Sequence, residues 1–170
     1  MRSVTTLPSP VGRLTLASDG ESLIGLWLEG QKYFGAGLSG TEAEADLPVF
    51  RAAEVWLRAY FARAPLPPLP PLAPQGSFFR QAVWQLLLEI PYGTVTTYGA
   101  LAQKLRDRGI SAAAQAVGGA VGHNPISILI PCHRVVGSDG SLTGYAGGVA
   151  KKQLLLELEG VDMAGLYVPT

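Results

Sequence analysis

Apolar and polar residues alternate along the first thirty residues of the chain. The apolar positions Val11, Leu14 and Leu16 belong to one run, Leu23, Ile24, Leu26 and Leu28 belong to a second, and the polar residues 18–22 lie between them. A period of two is typical of strands. The pattern therefore predicts strand, turn and strand, paired as an antiparallel hairpin or meander.

From Asp46 the period becomes helical. Apolar side chains recur three or four residues apart at Phe50, Ala53, Leu57, Tyr60 and Phe61. We expect Asp46 to cap this helix, with Pro48 in its first turn. The helix would then cover one face of the small sheet.

Residues 65–76 interrupt both periodicities, because six of the ten residues 65–74 are proline. Proline favours a stiff extended chain and disrupts helices and central strands. We interpret this stretch as a linker between an N-terminal domain, residues 1–64, and a second domain, residues 77–170. A proline-rich docking motif is the alternative.

The second domain is predicted to be mostly helical, which makes the fold class α+β. The helices are expected over residues 77–89, from a cap at Thr97 to Leu105, from Ser111 or Ala112 to about Val121, and over residues 149–158. We expect Phe78 and Leu154 to face inward. The middle two helices, joined by a turn at Gly109, suggest a helix-turn-helix.

Composition narrows the choice of partners. Apolar residues make up 48% of the chain and charged residues 15%, so the chain can bury a core. Thirteen basic residues balance thirteen acidic ones. This argues against a protein that holds nucleic acid by bulk charge, although a few phosphate contacts stay open.

The sequence also predicts a soluble, cytoplasmic protein with no membrane partner. Residues 1–11 lack the continuous apolar stretch of a signal peptide. Residues 109–133 contain no Asp, Glu, Lys or Arg, but their prolines and glycines do not suit a membrane-spanning helix.

Cys132 is the only cysteine, so the chain has neither an intramolecular disulfide nor a cysteine cluster for structural zinc. A lone cysteine after three aliphatic residues is usually a small buried hydrophobic residue. However, His133 and Arg134 follow it directly, and either could favour the thiolate, which is the nucleophilic form. Both interpretations stay open on these residues alone.

Glycines are concentrated at residues 117–122, inside a predicted helix, where each costs about 1 kcal/mol relative to alanine. One reason would be close helix packing. The other would be a surface that approaches another backbone, such as a nucleic-acid strand. The run is not a phosphate-binding loop, because no Lys-Ser or Lys-Thr follows it.

Residues 124–136, NPISILIPCHRVV, resemble the active-site signature of the O6-alkylguanine-DNA alkyltransferases, also called methylated-DNA–protein-cysteine methyltransferases. The resemblance extends over most of residues 77–160, through the segments 79–84, 90–93, 97–102, 116–120, 144–148 and 155–160. The N-terminal region is similar only in its general plan. The resemblance implies a ribonuclease H-like N-terminal domain before a catalytic, DNA-binding domain.

The family's activity is an irreversible, single-turnover transfer of an alkyl group from O6-alkylguanine in DNA to a cysteine of the protein. The resemblance therefore implies a monomer that acts on double-stranded DNA carrying alkylated guanine, without a cofactor. It leaves O4-alkylthymine as an open question. Some members hold zinc in the N-terminal domain, but here the only histidines, His123 and His133, lie in the second half, so no metal is expected.

The resemblance also implies a role for each catalytic side chain. Cys132 would accept the alkyl group, His133 would take the thiol proton through a water, and Glu159 would orient His133. Asn124 would tie the loop together by hydrogen bonds. Tyr98 would donate a proton toward guanine N3, so that guanine leaves as a neutral base.

Base recognition is implied for a second set of residues. The carbonyls of Cys132 and Val135 would accept hydrogen bonds from the exocyclic amine of guanine. The loop at Tyr145, Ala146 and Gly147 would form a wall of the pocket and offer a backbone N–H to O6.

In this family the second helix of the helix-turn-helix enters the minor groove, and the target base is flipped out of the duplex. The implied DNA contacts are Thr97, Ala112, Ala113, Gln115, Ala116, Gly118 and Gly119. Gln115 departs from the family pattern, which has an arginine that fills the gap left by the flipped base. We expect weaker duplex binding or slower repair as a result.

Two other functions remain as alternatives. Alkyltransferase-like proteins bind the lesion without transferring the group, but they replace the cysteine that is present here as Cys132. A cysteine-histidine hydrolase would need an oxyanion hole and repeated turnover.

Overall fold

The computed structural model describes residues 1–169, which form two compact units. The first unit contains residues 1–75 together with Pro125–Leu129, and the second contains Gly76–Asn124 and the chain from Ile130 onward. The fold class is α+β, as the sequence predicts. The limits of the predicted domains and linker remain a prediction.

The first unit is built on a four-stranded sheet in the order β3-β2-β1-β4. The strands are β1 (Ser3–Leu7), β2 (Leu14–Ser18), β3 (Leu23–Leu28) and β4 (Ala43–Glu44). The predicted hairpin is β2 paired antiparallel with β3, with Leu16 opposite Leu26. Sequence alternation missed β1, which is antiparallel to β2, and the short β4, which is parallel to β1.

Helix α1 (Pro48–Phe61) follows the sheet. Its N-cap is Leu47, which makes no side-chain capping bond, so the prediction that Asp46 caps the helix was wrong. Pro48 fixes the first helical residue and keeps the residue before it extended, which moves the cap to Leu47. Asp46 instead forms an exposed ion pair with Arg51 at 3.3 Å.

Two segments from outside the hairpin pair with β3. Leu23 donates its N–H to the carbonyl of Pro71 and accepts at its own carbonyl from the N–H of Ala73, both at 2.8 Å. Leu26 likewise pairs with Pro125 at 2.8 Å and Ser127 at 3.0 Å. Proline carbonyls can still accept at a sheet edge, so the proline-rich stretch is partly anchored to the first unit.

The second unit is mostly helical. Its elements are α2 (Phe78–Leu88), β5 (Thr96–Thr97), α3 (Tyr98–Asp107), α4 (Ala114–Gly122), a 3₁₀ turn at Cys132–Arg134, β6 (Val135–Val136) and α5 (Val149–Leu158). Thr97 caps α3 as predicted, accepting from the N–H of Ala100 at 3.1 Å. Helix α4 begins at Ala114, later than predicted, and its N-cap Ala113 has no side-chain oxygen to offer.

Two predictions about inward-facing residues were wrong. Phe78 is 79% exposed, because it is the first residue of α2. Leu154 is also exposed, because the buried face of α5 is formed by Lys152, Leu155 and Leu156. Residues at these spacings share one side of a helix. Among the described residues, no helix is both long and apolar enough to cross a membrane.

Candidate active site

Two tight turns position Cys132. Its N–H donates to the carbonyl of Ile130 at 2.8 Å, and Pro131 between them has the φ −81° and ψ 64° of an inverse γ-turn. The N–H of Arg134 then donates to the carbonyl of Pro131 at 3.0 Å. The short 3₁₀ turn directs Cys132, His133 and Arg134 to different partners.

Asn124 joins the ends of the loop that carries the cysteine. Its side-chain amide donates to the carbonyl of Ile130 at 2.8 Å and also hydrogen bonds with Cys132. Burial raises the pKa of the Cys132 thiol. The Asn124 side chain, the Lys152 charge and the backbone N–H groups of Cys132 and His133 act in the opposite direction. These groups would stabilise a thiolate when it forms.

His133 and Glu159 form a buried pair. The Nε2 atom of His133 lies 2.6 Å from Oε2 of Glu159, and both side chains are fully buried. Burial lowers the pKa of His133 against the opposing effect of Glu159. A neutral imidazole that donates from Nε2 presents Nδ1 as its basic nitrogen.

Arg134 completes this buried cluster. Its Nε and Nη2 atoms donate to the two oxygens of Glu159 at 2.8 and 3.1 Å, and its Nη1 atom donates to the carbonyl of Ile90 at 2.7 Å. Sequence reasoning considered Arg134 only as a neighbour that could favour the Cys132 thiolate, whereas its guanidinium contacts Glu159.

Glu159 accepts from backbone as well, because the N–H of Gly93 donates to its Oε1 atom at 3.0 Å. Burial alone would raise the pKa of Glu159. Hydrogen bonds and charge from His133 and Arg134 outweigh burial and lower it to about 2. The carboxylate therefore stays ionised and can support a proton that arrives on His133.

Lys152 is a buried cation that sequence reasoning missed. Its ammonium donates to the carbonyls of Val135 and Thr143 at 2.5 and 2.9 Å. Burial lowers its pKa to about 8, and the charge of Cys132 opposes that shift. The only sequence signal was that Lys152 shares a helical face with Leu155 and Leu156.

Tyr98, the first residue of α3, donates its hydroxyl to the carbonyl of Thr143 at 3.1 Å. Burial and the charge of Cys132 raise its pKa to about 12, so the hydroxyl keeps its proton. Gly144, the residue after Thr143, has φ +90°, and a Cβ there would lie 2.6 Å from the Tyr98 hydroxyl. This close approach explains the glycine.

We call residues 143–148 the pocket loop. Tyr145 is buried, with its ring 6.4 Å from that of His133 at an interplanar angle of 81°. The N–H of Gly148 donates to the carbonyl of Tyr145 at 3.0 Å, closing a turn around the partly exposed Ala146 and Gly147. The structure thus brings the predicted base-recognition loop to the predicted catalytic residues.

The residues predicted to contact DNA lie on α4 and beside it. Ala113, Gln115, Ala116 and Gly119 are exposed, while Thr97, Ala112 and Gly118 are partly exposed. A Cβ at Gly119 would meet open space, and one at Gly118 would make an ordinary contact with Tyr98 at 3.8 Å. Close helix packing therefore does not account for these two glycines.

Family comparison covers nearly the whole chain. The model described as "6-O-methylguanine DNA methyltransferase, ribonuclease-like domain" matches residues 3–71. The model described as "6-O-methylguanine DNA methyltransferase, DNA binding domain" matches residues 78–161.

Individual relatives agree with the family models. The methylated-DNA–protein-cysteine methyltransferase of Haemophilus influenzae is 45% identical over 156 residues, covering 91% of this chain and 84% of the relative. The Mycobacterium tuberculosis protein of the same name is 46% identical over 154 residues, covering 91% and 90%. A crystal structure of Mycobacterium tuberculosis OGT in complex with DNA superposes with a TM-score of 0.81 at 44% identity, covering 92% of each chain.

Proposed function

This chain belongs to the 6-O-methylguanine DNA methyltransferase family, and on that premise we propose that it repairs DNA by moving an alkyl group from O6-alkylguanine onto Cys132. The observation that carries the proposal is the buried Cys132 beside the His133–Glu159 pair, with Asn124 and Lys152 stabilising negative charge on its sulfur.

His133 activates the thiol. Its Nε2 atom is held by Glu159 at 2.6 Å, so Nδ1 takes the Cys132 proton through a water. The ionised Glu159 stabilises the resulting imidazolium. Arg134 keeps this carboxylate ionised and in place through two hydrogen bonds.

The transfer is a single displacement. The Cys132 sulfur attacks the alkyl carbon, an S–C bond forms, and the bond from that carbon to guanine O6 breaks with its electron pair passing to the base. Tyr98 supplies a proton at guanine N3, so the leaving group is neutral guanine, and the Tyr98 phenolate that remains takes a proton from water. Its pKa of about 12 means that the proton is present at the start of the reaction.

The base is recognised by backbone groups. The carbonyls of Cys132 and Val135 accept from the exocyclic amine, and the pocket loop at Tyr145, Ala146 and Gly147 donates to O6. The Val135 carbonyl already accepts from Lys152, but a carbonyl oxygen has a second lone pair for the base.

DNA reaches this site through base flipping, because O6 cannot be approached in line within a stacked duplex. We assign α4 to the minor groove, since its exposed Ala116 and Gly119 allow a backbone to come close. Gln115 is exposed on the same helix and would fill the gap left by the flipped base. The chain would act as a monomer.

Each molecule would react once. The product thioether has no good leaving group that water could displace, so Cys132, the only thiol in the chain, would not be regenerated.

The test is an intact-mass measurement after incubation with an oligonucleotide carrying O6-methylguanine. We expect one added methyl group, located on Cys132 by peptide mapping, and no adduct on Cys132→Ala. His133→Gln should slow adduct formation by about 10²-fold or more, since general bases contribute roughly 10²–10⁴-fold. His123→Gln, at the only other histidine, is the matched control and should react at the parent rate.

The alternatives give different results. A lesion-binding protein would retain the oligonucleotide without any mass change. A hydrolase would process many oligonucleotides per molecule. Either outcome would overturn the proposal, while a duplex carrying O4-methylthymine, run in parallel, decides whether that base is also a substrate.

A further inference from the structure

The chain turns back after α5 and pairs with the turn that precedes the pocket loop. We call residues 162–167 the return segment. The N–H of Tyr167 donates to the carbonyl of Gly140 at 3.0 Å, and the N–H of Leu142 donates to the carbonyl of Tyr167 at 2.9 Å. Ser141 and Tyr167 thereby form a parallel bridge.

A side-chain contact reinforces this pairing. The Tyr167 hydroxyl donates to Oδ2 of Asp139 at 2.6 Å, and Oδ1 of Asp139 accepts from the N–H of Ser141 at 3.1 Å. One carboxylate therefore links the return segment to the turn on which it lies.

The backbones approach so closely that the sequence is constrained. Gly140 has φ +92°, and a Cβ there would lie 1.9 Å from the carbonyl oxygen of Gly165. No other residue type fits at position 140 while the return segment stays in place. Such a contact is specific to this arrangement rather than a loose association of a surface strand.

The return segment also covers a small apolar cluster. Met163 and Leu166 pack against a core formed by four buried residues, which are Val136, Leu142, Leu156 and Val161. Two of these four flank the catalytic machinery in sequence, because Val136 follows Val135 and Leu142 precedes Thr143.

Leu142 connects the return segment to the site. The next residue, Thr143, accepts from the Tyr98 hydroxyl at 3.1 Å and from the Lys152 ammonium at 2.9 Å. The start of the pocket loop is thus held by the Tyr98 and Lys152 side chains at Thr143 and by the return segment at Leu142. Movement at either point would displace the backbone N–H groups of Tyr145, Ala146 and Gly147.

We propose that the return segment, acting through its pairing with Gly140 and Leu142, is a positioning element that fixes the pocket loop for recognition of the alkylated base. The inference rests on the proposed function and adds a determinant of its rate that lies outside the pocket. It predicts that loosening the segment slows transfer from the base while the Cys132 sulfur keeps its intrinsic reactivity.

The test compares Tyr167→Pro and Tyr167→Phe with the parent chain. Proline removes both the N–H that donates to Gly140 and the ring, whereas phenylalanine removes only the hydroxyl that contacts Asp139. Tyr33→Phe, an exposed tyrosine of the first unit, is the matched control. Three quantities are measured: amide hydrogen exchange over residues 142–147, the single-turnover rate with an O6-methylguanine duplex, and the rate of Cys132 alkylation by iodoacetamide.

We expect Tyr167→Pro to exchange faster over residues 142–147 and to react about tenfold more slowly with the duplex, since a misplacement of about 1 Å can cost ~10²-fold. Its iodoacetamide rate should stay within about twofold of the parent rate. Tyr167→Phe should show a smaller loss in the same direction, and Tyr33→Phe none.

The inference is overturned if exchange rises without any loss of the duplex rate, or if the duplex and iodoacetamide rates fall together. It is also overturned if Tyr167→Pro leaves the exchange unchanged. Failure of the proposed function would look different, because the parent chain itself would then form no adduct with the duplex, while the hydrogen-exchange comparison would still report on the loop.

Discussion

The two units bury different kinds of side chain. Within the described residues, the buried polar side chains of the first unit are Ser3, Ser18, Gln31 and Ser127, none of which carries a charge. Its ion pairs, Arg51–Asp46 and Arg58–Glu54, are at the surface. In the described part of the second unit the buried polar side chains include the acidic, basic and imidazole groups of Glu159, Arg134, Lys152 and His133, and the Cys132 thiol is buried among them.

The buried ionisable side chains of the second unit lie in the proposed active site, whereas the described residues of the first unit bury only uncharged polar side chains. Removing a charge from water costs several kcal/mol, and apolar packing would stabilise a core equally well. The core of the first unit is apolar in this way, with Leu16, Leu26 and Trp27 fully or almost fully buried. In the second unit Lys152 lowers the pKa of Cys132, whereas Arg134 lowers the pKa of Glu159.

We expect the largest loss of stability when a buried charge loses its partner. Glu159→Gln leaves the guanidinium of Arg134 buried without its carboxylate, and we expect a loss of about 3–5 kcal/mol in the free energy of unfolding. Glu54→Gln, which breaks the exposed i,i+4 pair with Arg58, should change it by less than about 0.5 kcal/mol. Urea unfolding of both variants at pH 7 measures the difference.

The pH dependence of the free energy of unfolding gives a further test of the buried Glu159–Arg134 pair. With a pKa of about 2 in the folded chain against 4.5 ordinarily, Glu159 contributes stability that is complete above pH 4.5 and is lost as the pH falls toward 2. Glu159→Gln should therefore lose less stability than the parent over this interval. Equal acid sensitivity in the two chains would contradict the assignment of a stabilised buried carboxylate.

We expect a smaller loss of stability at Lys152, and the adjacent Lys151 provides a matched control. Lys152→Met keeps the buried volume but removes the charge near Cys132 and the donor to Val135 and Thr143. We expect the pH midpoint of Cys132 alkylation by iodoacetamide to rise, because a thiolate loses a nearby cation. Lys151→Met should leave it unchanged.

The free energy of unfolding should fall by about 1–3 kcal/mol in Lys152→Met, since two carbonyls lose a buried donor. A midpoint that does not move would show that Lys152 only supports the loop. Lys152 would then have a structural role only, like the buried polar residues of the first unit.

The smallest effect on the fold is expected at the surface of the second unit. Gln115→Arg adds a charge at an exposed position of α4, so the free energy of unfolding should stay within about 0.5 kcal/mol. Duplex binding should tighten, with the slope of log affinity against log salt becoming steeper by about 1. Filter binding across a salt series, together with single-turnover rates on duplex, provides the measurement. An unchanged duplex rate and affinity would remove Gln115 from the DNA interface.

Local patterns in the sequence predicted the start of α3 and the bounds of α5. The side chain of Thr97 caps α3 as predicted. Helix α5 has the predicted bounds, Val149–Leu158, although its N-cap, Gly148, makes no side-chain capping bond. The predicted cap at Asp46 failed because Pro48 sets the first helical residue of α1.

Local chemistry alone singled out Cys132, His133 and Arg134, and the family resemblance added the distant Tyr98, Glu159 and the pocket loop. The sequence around Cys132 and His133 carries the family signature, but the roles of Arg134 and Lys152 depend on distant partners. Arg134 contacts Glu159, 25 residues away, and Lys152 contacts the carbonyl of Val135, 17 residues away. A helical pattern can show that position 152 is buried, but it cannot show which carbonyls accept hydrogen bonds from the Lys152 ammonium.

The carbonyl of Thr143 receives two donors at once, the hydroxyl of Tyr98 and the ammonium of Lys152. This redundancy makes one of them exchangeable. In the proposed reaction, when Tyr98 gives its proton to guanine N3, the Thr143 carbonyl would still accept from Lys152, so this oxygen would keep a partner. The proposed proton donor could then act on the base without disturbing the wall of the pocket.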